Sequence, residues 1–342
     1  MSRGSIFTLP SYLETKLAEQ IVRLIPCADK VRFLKTGSEA TSAAIKIGRA
    51  YTKKDGIAYC GYHGWHDWYT ADTPKNKGIP ESYKNYIHKF EYNNIQSLEV
   101  LFHGDIGVVI LEPYIYEAPQ KMFLDKVIEV AHKNGAIVIF DEIVTGFRTI
   151  EYSAQQYFDA IPDLCCLGKA MANGLPISVV CGKKKIMDVL EGDCFVSSTF
   201  GGELVSIASA LATIRVLEEE DAIQHIWKMG TELSEGYNNI AKDLGIETSS
   251  IGFPCRTMFK FPTGDHKSLF WQECIKRGVL FGYAQFISYS HREEEVSYTL
   301  AVIEDALKVV KENWSRPLKA LQGKPAKEVF RLVCTKENKI GN

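Results

Sequence analysis

The sequence lacks the features that mark membrane-spanning, secreted and strongly charged proteins. No apolar run approaches the roughly 18 residues that a membrane-spanning helix requires. Glu14 and Glu19 interrupt the stretch in which a secretion signal would need an apolar core. The 40 Lys and Arg residues balance 42 Asp and Glu, so the formal net charge is only −2. A protein with so little net charge lacks the excess of positive charge that binds nucleic acid or anionic membranes, and we expect neither partner.

A disulfide framework is also absent from the cysteine pattern. The nine cysteines are odd in number and scattered, and several lie inside apolar segments, among them Cys60, Cys165, Cys166 and Cys181. Buried, reduced thiols are typical of proteins in a reducing compartment. The pattern therefore predicts a cytoplasmic protein.

What the sequence does contain is an alternation of short apolar runs with longer amphipathic stretches. The runs of strand length are Val31 to Leu34, Ile57 to Cys60, Val108 to Leu111, Ala136 to Phe140, Leu164 to Leu167 and Ile177 to Cys181. Between two of them, apolar residues recur at helical spacing from Phe123 to Ala131, and Asn134-Gly135 provides a helix stop. This alternation predicts an α/β fold with a mainly parallel sheet covered by helices on both faces.

From Glu203 onward the pattern becomes mainly helical. We predict a large domain over residues 1–225 and a smaller C-terminal α+β domain over residues 226–342. In the smaller domain, Thr257 to Phe261 and Val279 to Phe281 are predicted strands. Ser290 and Glu293 are interpreted as a capping-box pair that opens the last long helix.

Three polar segments directly follow apolar runs, which is where ligands bind in open parallel sheets. Gly37 and Ser38 open a helix, and helix starts bind phosphate, although an ordinary capped helix would look the same. Asp141 follows a second run, either as a functional carboxylate or as the cap of a turn. Lys169 follows a third, where a partly desolvated amine can form an imine with a carbonyl; a solvated surface lysine is the alternative.

Taken together, these three segments meet the requirements of pyridoxal phosphate (PLP). That cofactor needs a phosphate site, an anion that keeps its pyridine nitrogen protonated, and a lysine for its aldehyde. Tyr62, after another run, offers an aromatic ring to stack on the pyridine.

Two other types of site lack the sequence features that they require. A nucleotide-hydrolysing site at Asp141-Glu142 would need a G-x-x-x-x-G-K-[ST] loop, which the sequence lacks, and a G-x-G-x-x-G fingerprint is lacking as well. Cys60, His63 and His66 have C-x-x-H-x-x-H spacing, but no second Cys/His cluster accompanies them. No metal site is therefore predicted.

Six ordered motifs resemble the class III aminotransferases among the fold-type I PLP enzymes. They are VRFLKTGSEATSAAIKIGRAYT, YCGYHGWHD, VVILEPY, GAIVIFDEIVTGFR, PDLCCLGKAMANGLPISVVCGKK and SSTFGGE. The ending GYAQFISYSHREEEVSYTL is most similar to the glutamate-1-semialdehyde 2,1-aminomutase branch. The resemblance extends from about Leu9 to Val310 and implies PLP-dependent transfer of an amino group from a small-molecule donor to a carbonyl acceptor.

The resemblance also implies a role for individual residues. Gly37 and Ser38 would bind the cofactor phosphate, Tyr62 would stack on the pyridine ring, Asp141 would pair with its nitrogen, Ile143 would pack on the opposite face, and Lys169 would form the aldimine. Thr199 resembles the residue that reaches the phosphate of the neighbouring subunit's cofactor. A homodimer is therefore implied.

The substrate is not specified by the sequence. Arg256 could pair with a carboxylate bidentately, or could be a packing arginine. Glu112 could hydrogen-bond near the cofactor or merely orient a loop, and His63 is a further substrate candidate. Aminotransferase and aminomutase activity both remain open.

Two departures from the family pattern bear on activity. Glu203 and Leu204 stand where many members have Asn-Pro after the paired glycines, which suggests a subgroup with a different substrate. The chain also starts just before FTLPSYLE, whereas family members normally carry a further N-terminal segment. The alternative expectation is thus a homologue that binds the cofactor without turnover.

Overall fold

A computed structural model describes residues 4–326, which fall into two compact units. The first unit contains the residues up to Tyr114 together with Pro119–Glu220, and the second contains Ile115–Ala118 and the residues from Asp221 onward. The predicted boundary between residues 225 and 226 falls inside the helix Ala222–Leu244. Residues 327–342 of the predicted smaller domain lie outside the described residues.

The strands and helices alternate along the first unit as the apolar pattern predicts. The strands are β1 (Lys30–Leu34), β2 (Gly56–Cys60), β3 (Ile87–Lys89), β4 (Ile106–Leu111), β5 (Ile137–Asp141), β6 (Leu164–Leu167), β7 (Ser178–Gly182), β8 (Ser249–Phe253), β9 (Arg256–Lys260) and β10 (Gln285–Phe286). The α-helices are α1 (Tyr12–Leu24), α2 (Gly37–Thr52), α3 (Asp67–Thr70), α4 (Ile95–Glu99), α5 (Phe123–Lys133), α6 (Ala154–Tyr157), α7 (Lys184–Met187), α8 (Leu204–Glu219), α9 (Ala222–Leu244), α10 (Gly264–Lys276), α11 (Glu293–Glu312) and α12 (Pro317–Ala320). Short 3₁₀ helices span Glu81–Tyr86, Val100–His103, Ile150–Tyr152, Lys169–Ala172 and Asp188–Glu191. Among residues 4–326, no helix has the length and apolar content needed to cross a bilayer.

The large sheet has seven strands in the order β1-β7-β6-β5-β4-β2-β3. The neighbours from β6 to β3 pair in parallel, whereas β7 is antiparallel to both β6 and β1. Since β1 and β6 both oppose β7, they run in the same direction. The carboxyl ends of β1, β2, β4, β5 and β6 therefore lie along one edge of the sheet, where an open parallel sheet binds ligands.

Both faces of this sheet are buried, which explains why its strands read as continuous apolar runs. Alternate residues point to opposite faces: Val108 and Ile110 join the cluster that contains α2, whereas Val109 and Leu111 join the cluster that contains α5. Helices α1 and α8 pack against side chains of β6 and β7. The predicted two-sided α/β layering is confirmed.

The start of α2 is fixed by a capping box. The Oγ1 of Thr36 accepts a hydrogen bond from the backbone N–H of Glu39 at 3.2 Å, and Oε2 of Glu39 accepts one from the N–H of Thr36 at 2.7 Å. These bonds satisfy two donors at the helix start. They place the first turn of α2 directly after β1, at the ligand-binding edge.

The second unit has its own sheet and core. Strands β10, β9 and β8 form an antiparallel sheet in that order, and α9, α10 and α11 supply most of the apolar residues packed around it. The rings of Tyr237 and Phe259 stack with centroids 4.2 Å apart, and Phe270 meets both rings edge-on. The α+β character predicted for this part of the chain is what the structure shows.

Two local predictions in the second unit are wrong. Residues 279–281 form no strand; the sheet is completed by the two-residue β10 and by β8, which the sequence pattern did not reveal. Ser290 is not the cap of α11, because Arg292 holds the N-cap position and its N–H donates to Oε2 of Glu295. The hydroxyl of Ser290 lies instead within 3.0 Å of that of Ser288.

Gly230, in α9, lies so close to the backbone at Pro254 that a larger residue would not fit without a shift. A Cβ at this position would lie 1.8 Å from the carbonyl oxygen of Pro254. We expect Gly230→Ala to lower the free energy of unfolding by about 1–3 kcal/mol, because the backbone must shift. The matched control is Gly264→Ala in α10, where a Cβ has open space and helix propensity favours alanine by up to about 1 kcal/mol. Urea denaturation of both variants checks this, and equal midpoints would contradict it.

Candidate active site

The polar residues picked out by sequence follow strands that end at the same edge of the large sheet. Asp141 is the last residue of β5, Glu112 follows β4, and Lys169 comes two residues after β6. Gly37 begins α2 shortly after β1, and Tyr62 lies in the loop that follows β2. The strand order therefore collects at one edge residues that are far apart in the sequence.

Asp141 is buried and held from two sides. Its Oδ1 accepts a hydrogen bond from the N–H of Ile143 at 3.1 Å, and its Oδ2 lies 2.8 Å from Nδ1 of His63. The His63 ring is itself buried, stacks on Trp68 with centroids 6.2 Å apart, and has Nε2 3.1 Å from the carbonyl oxygen of Cys60. The carboxylate is thus fixed in position by backbone and imidazole together.

Both ring nitrogens of His63 are thus engaged, Nδ1 by the Asp141 carboxyl group and Nε2 by a backbone carbonyl oxygen. A buried carboxyl group needs hydrogen-bonding partners, and His63 provides one of the partners of Asp141.

The first turn of α2 is tied to the loop that carries Tyr62 and His63. The hydroxyl of Thr41 donates to the carbonyl oxygen of His63 at 2.8 Å, and the N–H of Trp65 donates to the hydroxyl of Ser38 at 3.2 Å. Gly64 has φ +104°, and a Cβ there would lie 2.3 Å from the Ser38 hydroxyl oxygen. Glycine is required at this position to let the loop approach the helix start.

Ile143 links the helix start to the lysine loop. A Cβ on Gly37 would lie 3.2 Å from the Ile143 side chain, and one on Gly168 would lie 3.3 Å from its Cδ1. Lys169 follows with φ +42°, a left-handed conformation that is costly for a lysine and often marks functional positions. Its side chain is exposed in the single chain, so the desolvation expected from the sequence is not provided by this chain's own strand.

Tyr62 and Glu112 are joined through the backbone. The N–H of Tyr62 donates to Oε1 of Glu112 at 2.9 Å, and the Tyr62 ring meets that of Tyr69 edge-on with centroids 5.6 Å apart. Glu112 is buried, and its own N–H donates to the carbonyl oxygen of Cys60. Glu112 therefore orients the aromatic loop, which was one of its two predicted roles.

The remaining candidates belong to other segments of the chain. Thr199 is exposed on a turn at residues 199–202, and Arg256 belongs to the second unit, where its guanidinium lies over the rings of Tyr116 and Phe286 at 4.7 and 5.7 Å. Of the spaced His and Cys residues, His66 has Nδ1 2.7 Å from the Ser42 hydroxyl. In the described part of the chain, no three His, Cys, Asp or Glu residues are grouped to hold a metal ion.

Glu142, next to Asp141, is the buried carboxyl group whose role the sequence did not reveal. Its Oε2 accepts from the N–H of Ala154 and the hydroxyl of Thr145, and its Oε1 accepts from the side-chain amide of Gln155. Burial raises the pKa of Glu142 to about 7 in spite of these hydrogen bonds. Through these hydrogen bonds, Glu142 holds the segment that follows β5 in place.

Trp68 was also missed by sequence reasoning. Its ring backs His63, and its indole N–H donates to the Ser42 hydroxyl of α2 at 2.9 Å. The dense aromatic content of the segment from Tyr59 to Tyr69 was the available signal. Only the fold shows which of these rings support His63.

The geometry fits pyridoxal phosphate. Gly37 and Ser38 present backbone N–H groups at the start of a long, capped helix, as a phosphate requires. Asp141 is a carboxyl group held in place, of the kind that a pyridine nitrogen needs as a partner. Gly37 and Gly168, which lack a Cβ, both approach Ile143 closely, so the helix start and the lysine loop meet at the same side chain. This fold and this set of residues define a PLP-dependent enzyme of fold type I.

Comparison with known proteins identifies the family. The family model described as "Aminotransferase class-III" matches residues 2–251. The chain belongs to the class III aminotransferases, and its cofactor is PLP.

Individual relatives agree with this assignment. The chain is 32% identical to 3-aminobutyryl-CoA aminotransferase of Cloacimonas acidaminovorans, over 91% of this chain and 78% of that protein. It is 33% identical to glutamate-1-semialdehyde 2,1-aminomutase of Methanothrix thermoacetophila, over 90% of this chain and 80% of that protein. The PLP internal aldimine structure of FumI from Sphingopyxis sp. MTA144 matches with a TM-score of 0.85 and 28% identity, over 92% of this chain and 79% of that one.

Glu142 should make stability depend on pH. The folded state keeps a proton on this carboxyl group up to about pH 7, whereas the unfolded chain releases it near the ordinary value of 4.5. The folded state therefore binds more protons between these values, and its stability falls as pH rises through this window. Between pH 5 and pH 8 we expect the parent to lose at most about 3 kcal/mol relative to Glu142→Gln.

Denaturant titrations across that pH range measure the difference. Glu129→Gln, at an exposed position of α5, is the control and should keep the parent's pH dependence. A constant difference between the parent and Glu142→Gln at all pH values would contradict a raised pKa.

Proposed function

We propose that this chain transfers an amino group from a small-molecule donor to a carbonyl acceptor, with Lys169 and Asp141 as its catalytic residues. The observation that carries the proposal is the collection of Asp141, Ile143, Gly37 and Gly168 at one sheet edge, directly beside Lys169. A lone lysine or aspartate would not support it. The family assignment supports the same chemistry.

PLP, when bound, supplies an aromatic ring that accepts electrons from the substrate carbon. The residues of this chain supply the rest. Gly37 and Ser38 bind the phosphate at the helix start, and Tyr62 and Ile143 pack on the two faces of the ring. Asp141 keeps a proton on the ring nitrogen, and Lys169 accepts and returns the proton of the reacting carbon.

His63 acts behind Asp141 in this proposal. Its two ring nitrogens are engaged with Asp141 and Cys60, and the residue is only 2% exposed, which favours a positioning role over substrate binding. Glu112 likewise positions Tyr62 through its backbone. Both side chains then determine the orientation of groups that contact the cofactor.

Arg256 is the proposed ligand of a substrate carboxylate. Its guanidinium lies over two aromatic rings, which restricts its rotation, and the planar guanidinium group is suited to bidentate binding of a carboxylate. The named activities of the relatives suggest two substrate types, a 3-aminoacyl thioester and an amino-aldehyde with a carboxylate. We propose aminotransferase activity, and 2,1-aminomutase activity is the more specific alternative.

The functional assembly proposed here is a cytoplasmic homodimer. Thr199 lies on an exposed turn, flanked by Phe195 and Phe200 with 76% and 56% of their surfaces exposed. Exposed apolar patches commonly mark an interface, and these two rings are near Thr199 in the sequence. In a dimer, Thr199 would bind the phosphate of the partner's cofactor.

Replacing Lys169 should abolish both cofactor attachment and turnover. Incubation of the parent with PLP should give a visible absorbance that borohydride fixes on the peptide containing Lys169. We expect Lys169→Ala to lose the fixed adduct and to lower kcat by about 10³-fold or more, because the proton-transfer group is lost. Absorbance spectra, peptide mass analysis and a screen of amino donors with a keto acid acceptor provide the measurements.

The control for this experiment is Lys184→Ala, at an exposed lysine of the same unit. It should attach PLP and turn over like the parent. Fixation of PLP in Lys169→Ala would refute the assignment of the lysine. A parent that attaches PLP but releases no pyridoxamine phosphate with any donor would be a cofactor-binding homologue without turnover.

Arg256→Lys should weaken binding of donors that carry a carboxylate. Lysine keeps the charge but loses the planar fork, so we expect KM for 4-aminobutyrate to rise about tenfold while KM for butylamine stays unchanged. Steady-state kinetics with this matched pair of donors measures the effect. Equal changes in KM for both donors would show that Arg256 serves packing instead.

A further inference from the structure

Lys35 is a partly buried cation that joins three segments at the ligand-binding edge. It lies between β1 and α2, and its side chain is 14% exposed. Its Nζ donates to the carbonyl oxygen of Pro176 at 2.8 Å, to Oε2 of Glu203 at 3.2 Å and to the Ser206 hydroxyl at 3.2 Å. The ammonium group of Lys35 therefore connects its own segment to two others, the loop that contains Pro176 and the start of α8.

Glu203 is the anion that faces it. The Glu203 carboxylate caps α8: Oε1 accepts from the N–H of Val205, and Oε2 accepts from the N–H and hydroxyl of Ser206. Although partial burial raises its pKa, the bonds from Ser206, Val205 and Lys35 outweigh this effect and lower the pKa to about 2. Glu203 is therefore ionised throughout the physiological range and compensates the charge of Lys35.

Each segment joined in this way carries a residue of the proposed site. Lys35 directly precedes Thr36 and the helix start at Gly37. Pro176 lies in the loop at residues 168–177 that carries Lys169. Directly after this loop, the Ser178 hydroxyl donates to the carbonyl oxygen of Thr36 at 2.7 Å and ties the loop to the helix start a second time. Glu203 immediately follows the turn at residues 199–202.

That turn also packs directly on β1. A Cβ on Gly201 would lie 2.6 Å from the carbonyl oxygen of Phe33, so the turn cannot lift from the strand without losing this close contact. The N–H of Glu203 donates to the carbonyl oxygen of Phe200, which closes the turn onto the cap of α8. The ion pair between Lys35 and Glu203 connects this rigid turn to the phosphate-binding helix.

We propose that Lys35, paired with Glu203, is a positioning residue that sets the phosphate-binding helix start against the Lys169 loop and the Thr199 turn. The inference rests on the proposed function, since it concerns how tightly the same site holds PLP. It also gives a role to Glu203, which departs from the Asn found at this position in many family members. Loss of the pair should weaken retention of the cofactor more than it slows the chemistry at saturating PLP.

The test uses the full-length protein with PLP as the probe. Lys35→Met keeps the length of the side chain and removes its charge, and Lys35→Arg restores a cation. Equilibrium dialysis against graded PLP, followed by the cofactor absorbance, gives the dissociation constant. We expect Lys35→Met to raise it roughly tenfold, as loss of charge-assisted hydrogen bonds predicts, with kcat at saturating PLP within about twofold of the parent.

Two comparisons separate positioning from general stability. Lys35→Arg should bind PLP within about threefold of the parent, because one charge-assisted partner can be recovered. Lys183→Met removes a comparable ion pair, to Asp163, after the far end of β7, and should lower the thermal midpoint without changing PLP affinity. Adding Glu203→Gln to Lys35→Met should weaken PLP binding little further, since the pair is already broken.

The outcomes are distinct. Parent-like PLP affinity in Lys35→Met, or a PLP affinity in Lys183→Met that falls as far, would overturn the positioning role while leaving the proposed function intact. Failure of the parent to attach PLP to Lys169 would overturn both.

Discussion

Parallel pairing of the central strands is the constraint on which the site depends. The register places Leu111 beside Phe140 and Asp141 beside Cys166, so the residues that follow β4, β5 and β6 leave the sheet next to one another. Because both faces are buried, a slip by one residue would exchange the two sets of apolar side chains and is strongly disfavoured. Core packing, rather than contacts among the polar residues, therefore sets where the functional groups lie.

Asp141 and Glu142 are adjacent carboxyl groups at the end of β5, but their hydrogen-bonding partners differ. Asp141 meets the imidazole of His63 and the backbone N–H of Ile143. Glu142 meets a backbone N–H, an amide and a hydroxyl, all uncharged, and burial shifts it toward the neutral form. Neighbours in the sequence thus serve different purposes: Asp141 is the proposed partner of the cofactor, and Glu142 secures the end of the strand.

Much of the first unit follows from sequence, because its strands are continuous apolar runs and the residues of the proposed site occur shortly after them. The small sheet was harder: β10 has only two residues, and β8 contains Gly252, so neither carries a clear alternating pattern. The pairings of His63 with Asp141 and of Lys35 with Glu203 span 78 and 168 residues. Contacts at such separation depend on topology, which spacing along the chain does not encode.

The reversal of direction at β7 has a consequence for the lysine. Strands β6 and β7 form a hairpin whose connecting loop, residues 168–177, carries Lys169 near its first end. Both ends of that loop continue into paired strands, with Leu167 opposite Val179. The antiparallel pairing of β6 with β7 therefore holds the two ends of the loop together. The proposed catalytic lysine is thereby carried by a hairpin, whose contacts are local in sequence and can form before the distant partners are brought to it.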